Sequence, residues 1–170
     1  LIARERNMPV DEKGFEVEMN KQRERARNAQ TREVISVSDA TEVEHATQFA
    51  GYDHANLSDF ATSISAIVEG PDADFVIMPQ TPFYAEKGGQ VGDTGFIEIN
   101  GTAREVFDTK MDNAGHILHK VRKGVFKKDC IGTEVSVTVD IVRRRAIERH
   151  HSATHILHWA MRQVLGTHVR

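Results

Sequence analysis

The stretch "TGFIEINGTAREVFDTKMDNAGHILHKVRKGVFKKDCIGTEVSVTVD", residues 94–140, decides the fold. It contains four short β-like runs, "TGFIEI", "AREVFDT", "GHILHKV" and "TEVSVTVD", separated by Gly, Asn and Asp. Many short strands punctuated by turn residues favour a small barrel or sandwich. Upstream, "ATSISAIVEG" alternates polar and apolar residues and "ADFVIMPQ" is a compact apolar run, so the β-rich pattern begins near Thr41.

A helix is predicted before this β-rich region. Residues 11–29 open with an acidic turn and close with arginines, which is the order that a helix dipole favours. Phe15, Met19 and Ala26 form only a thin apolar stripe along the segment. This composition predicts a connecting helix at the surface rather than a core helix.

A second, longer helix is predicted from residue 141 onwards. Asp140 can cap its first turn, and Gly166 stands where a C-cap belongs. Apolar residues at helical spacing predict one buried face, made of Val142, Ala146, Ala153, Leu157, Ala160, Val164 and Leu165. The chain is therefore predicted to be α+β, with a helical segment over 1–30, a small antiparallel β-barrel-like domain over 31–140 and a long C-terminal helix over 141–170.

Length and composition place the chain among globular proteins. It has 170 residues, of which 39% are hydrophobic and 28% charged, enough for one packed domain. No apolar run approaches a membrane span, and the first residues lack the apolar core of a secretory signal. A single cysteine, Cys130, cannot form an internal disulfide and is expected to be a small buried thiol. We therefore expect a cytoplasmic protein without a membrane partner. The helix-like start at Leu1 and the helix stop before Arg170 suggest a fragment of a longer protein.

Charge is unevenly distributed along the chain. Residues 31–109 carry 3 basic and 14 acidic side chains, whereas residues 110–149 carry 10 basic and 5 acidic ones. Such a split is compatible with a face that meets phosphates and equally with an ordinary solvated surface. Arg143, Arg144 and Arg145 are mildly unfavourable near the positive end of a helix, which favours an anionic partner such as tRNA phosphates. A solvated helix start is the competing interpretation.

The segment "HHSATHILHW", residues 150–159, holds the candidate metal ligands. His151 and His155 are four residues apart, so they project from one helix face and could share an ion. Zinc wants about four protein ligands in a structural site and about three in a catalytic one, so two histidines are at most half a site. No glutamate lies between them, which excludes the His-Glu-x-x-His protease arrangement. Histidines hydrogen-bonded locally are the alternative, with His158 expected to pack nearby and His150 to point elsewhere.

A second candidate is the glycine-rich segment "FYAEKGGQVGDTGF", residues 83–96. Gly88 and Gly89 permit positive φ and a close backbone approach. The segment is either a simple hairpin turn or a loop whose amides approach a ligand or an RNA terminus. It matches neither a P-loop nor a dinucleotide fingerprint. Glu86 and Asp93 are candidates for acid or base chemistry.

These motifs together resemble the alanyl-tRNA synthetase family. "FYAEKGGQVGDTG" followed by "VDIVRRRAIERHHSATHILHWAMRQVLGTHV" is similar to the entry of its editing domain, a pairing shared with free-standing alanyl-tRNA editing proteins. The upstream "IARERNMPVDEKGFEVEMNKQRERAR" and "TQFAGYD" resemble the full synthetase, at the end of its tRNA-recognition helices and the start of the following β-rich region. The resemblance covers essentially the whole chain.

The resemblance implies specific chemistry. The family joins alanine to tRNA(Ala) with ATP and Mg²⁺ in a catalytic domain that this sequence lacks, and its editing domain hydrolyses mischarged Ser-tRNA(Ala) and Gly-tRNA(Ala). Its zinc ligands fall on His151 and His155, and a further Cys-x-x-x-His pair is absent from this sequence. The implied role is therefore a Zn²⁺ half-site at the start of the editing core, inactive on its own. Thr154 matches a family threonine near the bound amino acid, and Gly88, Gly89 and Gln90 are the expected substrate-binding loop.

The resemblance leaves the catalytic base unassigned and does not remove every alternative. Gly-Gly-Gln also occurs in peptide release factors, but on an exposed basic loop rather than between strands beside Glu86 and Asp93. A free-standing alanyl-tRNA editing hydrolase is another possibility, and so is a non-catalytic RNA-binding β-barrel with an incidental histidine pair. Editing has a physical reason, because one missing methyl group changes the free energy of binding by only about 1 kcal/mol.

Overall fold

The structure, a computed structural model, describes residues 12–31, 43 and 45–169. The chain divides into two compact units, residues 1–35 and 36–170. In the first unit, helix α1 spans Glu12–Thr31, and its residues Phe15 and Met19 are exposed. A surface helix is thus confirmed, although residues 1–11 and the side chain of Ala26 lie outside the described part.

The part of the second unit that the structure describes contains nine strands, two short 3₁₀ helices and one long α-helix. The strands are β1 (Gln48–Phe49), β2 (Phe60–Ser63), β3 (Ala66–Glu69), β4 (Ala73–Ile77), β5 (Gln80–Thr81), β6 (Gly95–Ile99), β7 (Thr102–Met111), β8 (Ile117–Arg122) and β9 (Glu134–Val139). The 3₁₀ helices span His54–Leu57 and Lys128–Cys130, and helix α2 spans Ile141–Leu165. This order confirms the predicted α+β class. The predicted boundary between residues 140 and 141 stays a prediction.

Seven strands form one antiparallel sheet in the order β2-β9-β6-β7-β8-β4-β3, and β1 pairs with β5 in a small parallel sheet. The two edge strands β2 and β3 are consecutive, with only Ile64 and Ser65 between them. The Ile64 N–H donates to Thr133 at 3.1 Å, and the Ser65 N–H donates to Ile77 at 2.8 Å. One continuous segment therefore forms both edge strands, so the sheet curls into a half-barrel.

The core lies on the inner face of this curled sheet. Along β6, Ile97 is fully buried while its neighbour Phe96 is 49% exposed, as the period-two geometry of a strand requires. Val106, Val121 and Val137 on the adjoining strands are also at 0% exposure. Burial alternates along β6, whereas all five residues of β4 are buried.

A histidine is enclosed in this core. The Nδ1–H of His119 donates to the Val76 carbonyl at 2.9 Å, and the Thr81 hydroxyl donates to its Nε2 at 2.8 Å. The carbonyl can only accept, so the proton of the neutral ring is on Nδ1. Burial lowers the pKa of His119 to about 4, because the charged form would lose its hydration. His119 is therefore a neutral structural residue that joins β4 and β5 to β8.

Helix α2 follows the predicted bounds but not the predicted burial. The Asp140 carboxylate accepts the Arg143 N–H at 3.0 Å, and the Gly166 N–H donates to Arg162 at 3.1 Å, so both caps are confirmed. The predicted buried stripe is wrong: exposure is 82% at Val142, 61% at Leu157, 82% at Val164 and 57% at Leu165, with Ala153 exposed and Ala146 and Ala160 half-buried. No described segment covers that face.

Two smaller observations complete the fold. Cys130 is half-buried against the core rather than fully buried as predicted, and its thiol lies 3.6 Å from Asp129 Oδ1. Neither helix in the described part of the chain is long and apolar enough to cross a bilayer.

Candidate functional site: a cleft between a glycine loop and a histidine helix

A cleft of about 580 Å³ separates the glycine-rich loop from helix α2. Gly88–Val91 form one wall, and the other wall is the helix face that carries Ile147, His150, His151, Thr154 and His155. The two motifs that the sequence singles out, although distant in the chain, therefore face each other. Chemistry at this cleft can draw on backbone amides from one side and imidazoles from the other.

The loop is a tight hairpin tip. Lys87 and Gln90 exchange two backbone hydrogen bonds, of 3.2 and 3.1 Å, and the two residues between them have positive φ: 61° at Gly88 and 84° at Gly89. No atom lies within 4 Å of where a Cβ would stand on either glycine, so backbone conformation rather than space selects glycine here. Within residues 45–169 neither glycine N–H donates a hydrogen bond. Both amides are available to a ligand in the cleft.

The histidine pair on α2 meets at its ring nitrogens. His151 Nε2 and His155 Nε2 are 3.1 Å apart, and both residues are exposed. Two nitrogens of a tetrahedral zinc site with Zn–N distances of about 2.0–2.1 Å lie about 3.3 Å apart, so the pair fits one edge of such a site. Without an ion, the same approach is a hydrogen bond in which one ring donates to the other. No group of three or more metal-ligating side chains occurs among residues 12–31 and 45–169.

His150 lies on the cleft wall, which corrects the expectation that it points elsewhere. Its Nδ1–H donates to the Ala146 carbonyl at 2.7 Å, because a carbonyl can only accept. The Nε2 of the neutral ring is then an acceptor. The i, i+4 rule selects His151 and His155 and overlooks His150, which is adjacent in sequence. His158 is half-buried and does not line this cleft; its Nε2 is enclosed and has no hydrogen-bond partner in the described part of the chain.

Thr154 occupies the wall between the two histidines. Its hydroxyl donates to the His150 carbonyl at 2.9 Å, which is the back-bonding that a threonine commonly makes inside a helix. The hydroxyl oxygen keeps acceptor capacity toward the cleft. The substrate-binding role of Thr154 stays a prediction, as do the roles of Gly88, Gly89 and Gln90.

The base of the loop is joined to α2 by a buried ion pair. Arg144 is 6% exposed, and its Nε lies 3.1 and 2.9 Å from the two carboxylate oxygens of Asp93. Its Nη2 also lies 2.7 Å from Asp93 Oδ2 and donates to the Pro82 carbonyl at 2.8 Å. Burial raises the pKa of the Asp93 carboxyl, while the Tyr84 N–H and the Arg144 guanidinium oppose that rise.

This pair corrects two expectations from the sequence. Asp93 is 1% exposed and paired, so it is a structural carboxylate rather than an acid or base facing substrate. Arg144 has no accessible guanidinium with which to hold a phosphate. Arg143 is half-buried, and its Nη1–H donates to the Gly92 carbonyl at 2.6 Å. Arg145 is exposed and lines a separate cleft of about 500 Å³ with His54 and Arg149. Contact with tRNA remains a prediction for Arg143 and Arg145.

Glu86, the other acid or base candidate, is exposed and does not line the cleft between loop and helix. Its N–H donates to the Thr109 carbonyl at 2.8 Å, which ties this end of the loop to β7. The geometry therefore assigns Glu86 no role in the cleft.

The fold and cleft define an α+β protein in which a half-barrel presents a glycine loop to a helix with paired imidazoles. A family model described as "tRNA synthetases class II (A)" matches residues 1–143. The chain belongs to this family.

Similar proteins are more specific. The chain is 41% identical over 177 residues to an alanine–tRNA ligase of Opitutus terrae, covering 100% of this chain and 19% of that protein. It is also 41% identical over 179 residues to an alanine–tRNA ligase of Pseudomonas fluorescens, covering 99% of this chain and 20% of that protein. The chain thus spans about a fifth of the length of the curated relatives it matches.

Proposed function

We propose that this chain is a segment of an alanine–tRNA ligase, whose partners are tRNA(Ala), alanine and ATP. The similarity to two such ligases extends over essentially all of this chain, which supports the proposal. ATP and Mg²⁺ would act in a catalytic domain outside these residues. Any chemistry that this segment contributes would take place at its own cleft.

We further propose that the cleft belongs to the module that removes serine or glycine from mischarged tRNA(Ala). The observation that carries this proposal is the placement of the Gly88–Gln90 loop opposite His151 and His155 on one cavity. Free amides suit an ester or ribose oxygen, and paired imidazoles suit a cation near that ester. Together these groups could orient a small aminoacyl ester and polarise it for hydrolysis.

The two imidazoles would hold a Zn²⁺ ion through their Nε2 atoms, which already lie 3.1 Å apart. When bound, the ion would supply Lewis acidity at the ester carbonyl or an anchor for the amino group of the amino acid. The Gly88 and Gly89 N–H groups would orient the ester from the opposite wall. Thr154 would accept a hydrogen bond from the hydroxyl of serine, because its own proton is donated to His150.

Editing is needed because a binding pocket discriminates poorly between amino acids of similar size. A pocket that accepts alanine gains only about 1–3 kcal/mol of discrimination from one methylene-sized difference. Glycine therefore enters the synthetic site, and serine is only slightly larger than alanine. A second site that recognises these two amino acids and cleaves their ester restores accuracy.

The assignment is tested in the full-length ligase. We expect His151→Ala and His155→Ala each to abolish hydrolysis of seryl-tRNA(Ala) while the rate of alanylation is unchanged, because each removes one of the two imidazoles that helix α2 directs at the ion. His54→Ala is the matched control, since His54 lies on the other cleft. Hydrolysis at the wild-type rate in both cleft variants would show that the ligand assignment is wrong.

The 170-residue chain gives a second test. With two imidazoles the ion keeps most of its water, so we expect weak zinc binding in a calorimetric titration and no hydrolysis of seryl-tRNA(Ala). Tight zinc binding by the chain alone, or hydrolysis at a rate near that of the full ligase, would contradict the half-site.

A further inference from the structure

The Arg144–Asp93 ion pair connects the two walls of the cleft at their common base. Arg144 belongs to the first turns of α2, and Asp93 ends the glycine-rich loop. Arg144 is the buried residue of α2, whereas the apolar side chains further along the helix are exposed. The start of the helix is therefore held to the half-barrel by this charged contact together with the packing of Ile141 against the core, and not by the apolar stripe further along.

The loop is fastened at its base and free at its tip. Tyr84 and Asp93 bridge the two loop arms, because the Asp93 N–H donates to the Tyr84 carbonyl at 2.9 Å and the Tyr84 N–H donates to Asp93 Oδ2 at 2.8 Å. The Thr109 hydroxyl donates to the Asp93 carbonyl at 2.9 Å, which ties the same point to β7. At the tip, no atom lies within 4 Å of the position that a Cβ would occupy on Gly88 or Gly89. The Asp93 carboxylate thus belongs to the rigid base of a loop whose tip faces the cleft.

The guanidinium is fixed in orientation as well as position. It forms a fork on Asp93, donates to Pro82 and lies 5.8 Å from the ring centroids of both Phe49 and Tyr84. A planar fork bound on several sides resists rotation, unlike a single point contact by an ammonium group. The helix that carries Arg144 consequently cannot turn about its own axis without breaking these contacts.

Helix geometry transmits this orientation to the cleft. An α-helix repeats about every 3.6 residues, so His151 lies about two turns beyond Arg144 and His155 about three turns beyond it, all on one face. Fixing the direction of the Arg144 side chain therefore fixes the direction of both imidazoles. Arg143 adds a second contact through its hydrogen bond to Gly92, at the same loop base.

We infer that Arg144 and Asp93 are positioning residues, which set the rotation of α2 so that His151 and His155 face the Gly88–Gly89 amides. Only the expected effect of these two residues on ester hydrolysis rests on the proposed function. The juxtaposition of loop and imidazoles is a property of the chain itself. A displacement of about 1 Å between reacting groups can slow a reaction about 100-fold, so even a small rotation matters.

The direct test uses Cu²⁺ as a paramagnetic probe on the 170-residue chain. Bound at His151 and His155, the ion is expected to broaden the amide proton signals of Gly88 and Gly89 in NMR spectra. The double variant Asp93→Asn with Arg144→Met removes both charges and keeps an acceptor for the Tyr84 N–H. We expect it to bind Cu²⁺ with unchanged affinity and to lose most of the broadening, because the two histidines stay together while the helix loses its fixed rotation.

Matched variants separate positioning from folding. Arg145→Met changes the exposed neighbouring arginine and is expected to keep full broadening, and His151→Ala with His155→Ala is expected to abolish it. Where the double variant does not fold, Arg144→Lys serves instead, because lysine keeps the charge but cannot form the fork. Unchanged broadening in the folded double variant or in Arg144→Lys, or no broadening in the wild type, overturns the inference.

In the full-length ligase the double variant Asp93→Asn with Arg144→Met is expected to lower kcat for seryl-tRNA(Ala) hydrolysis about 100-fold with KM little changed. Loss of broadening without any hydrolysis in the wild type would leave the positioning role standing and reject the proposed function. A folded double variant that keeps the wild-type kcat would reject the positioning role.

Discussion

The half-barrel and helix α2 both have a periodic apolar pattern in sequence, but only the apolar residues of the half-barrel are buried. On the strands, the apolar positions Ile97, Val106 and Val137 are completely buried. On the helix, Val142 and Val164 are each 82% exposed. The inner face of a strand in a curled sheet lies against the strands on the other side of the core. A helix face is buried only where another segment lies against it. Periodicity thus indicates which face can be buried, and the presence of a partner decides whether it is.

The largest effect should come from a core aromatic residue of the half-barrel. Phe83 is 0% exposed and packs edge-on against His119, with ring centroids 5.2 Å apart. We expect Phe83→Ala to reduce the free energy of unfolding by about 3–5 kcal/mol, because it leaves a cavity. Urea denaturation measures this. Phe96→Ala on the outer face is the control, with an expected cost of about 1 kcal/mol; equal costs would remove the distinction between the two faces.

Acid should weaken the half-barrel through His119. Its pKa is lowered to about 4 in the fold, compared with an ordinary value of 6.5. The unfolded chain therefore binds a proton first, so the contribution of His119 is fully present above pH 6.5 and is lost as the pH falls toward about 4. We expect a loss of about 2–3 kcal/mol at about pH 4.5.

His119→Gln isolates this contribution from that of other titrating groups. Its unfolding free energy, measured in urea across the same pH range, should fall less steeply than that of the wild type. Identical slopes would mean that His119 takes up its proton without cost in the folded half-barrel.

The start of α2 should show an intermediate effect. Asp140 caps the helix through its hydrogen bond to the Arg143 N–H. We expect Asp140→Ala to cost about 1 kcal/mol in urea denaturation, because an N-terminal amide loses its partner. Asp140→Asn keeps an acceptor and serves as the control. A helix start that tolerates alanine as well as asparagine would be held by the Arg144 contacts alone.

The smallest effect should be on the exposed face of α2. Val164→Gln is expected to change the unfolding free energy by no more than about 0.5 kcal/mol, since both side chains meet water there. The same substitution at Val137 buries an amide and is expected to cost at least about 2 kcal/mol. Strong destabilisation of the 170-residue chain by Val164→Gln would show that this helix face is covered in solution.

Local patterns predicted the elements well. Short runs bounded by turn residues located β4 and β6 to β9, Asp140 and Gly166 marked the ends of α2, and the four-residue spacing brought His151 and His155 together. One strand-like run, "ATSISAIVEG", was less well described, because it separates into β2 and β3 at opposite edges of the sheet. A bend of that kind depends on which strands pair, and the run itself does not contain that information.

The cleft was harder to predict than its walls. Each motif was visible, but their juxtaposition depends on the contact of Arg144 with Asp93, 51 residues apart in the chain. Three consecutive arginines look alike in a sequence, although one is buried, one half-buried and one exposed. The spacing of Arg144 from His151 and His155 was the available signal, since it places all three on one helix face.

The continuous segment at the two sheet edges constrains how the protein emerges from the ribosome. The Asp59 N–H donates to the Thr138 hydroxyl, 79 residues later, beside the pairing of β2 with β9. At a synthesis rate of about 5–20 residues per second, β2 waits about 4–16 s for its partner. During that interval its ladder groups are unpaired, so nascent chains are most open to misassociation just before β9 is translated.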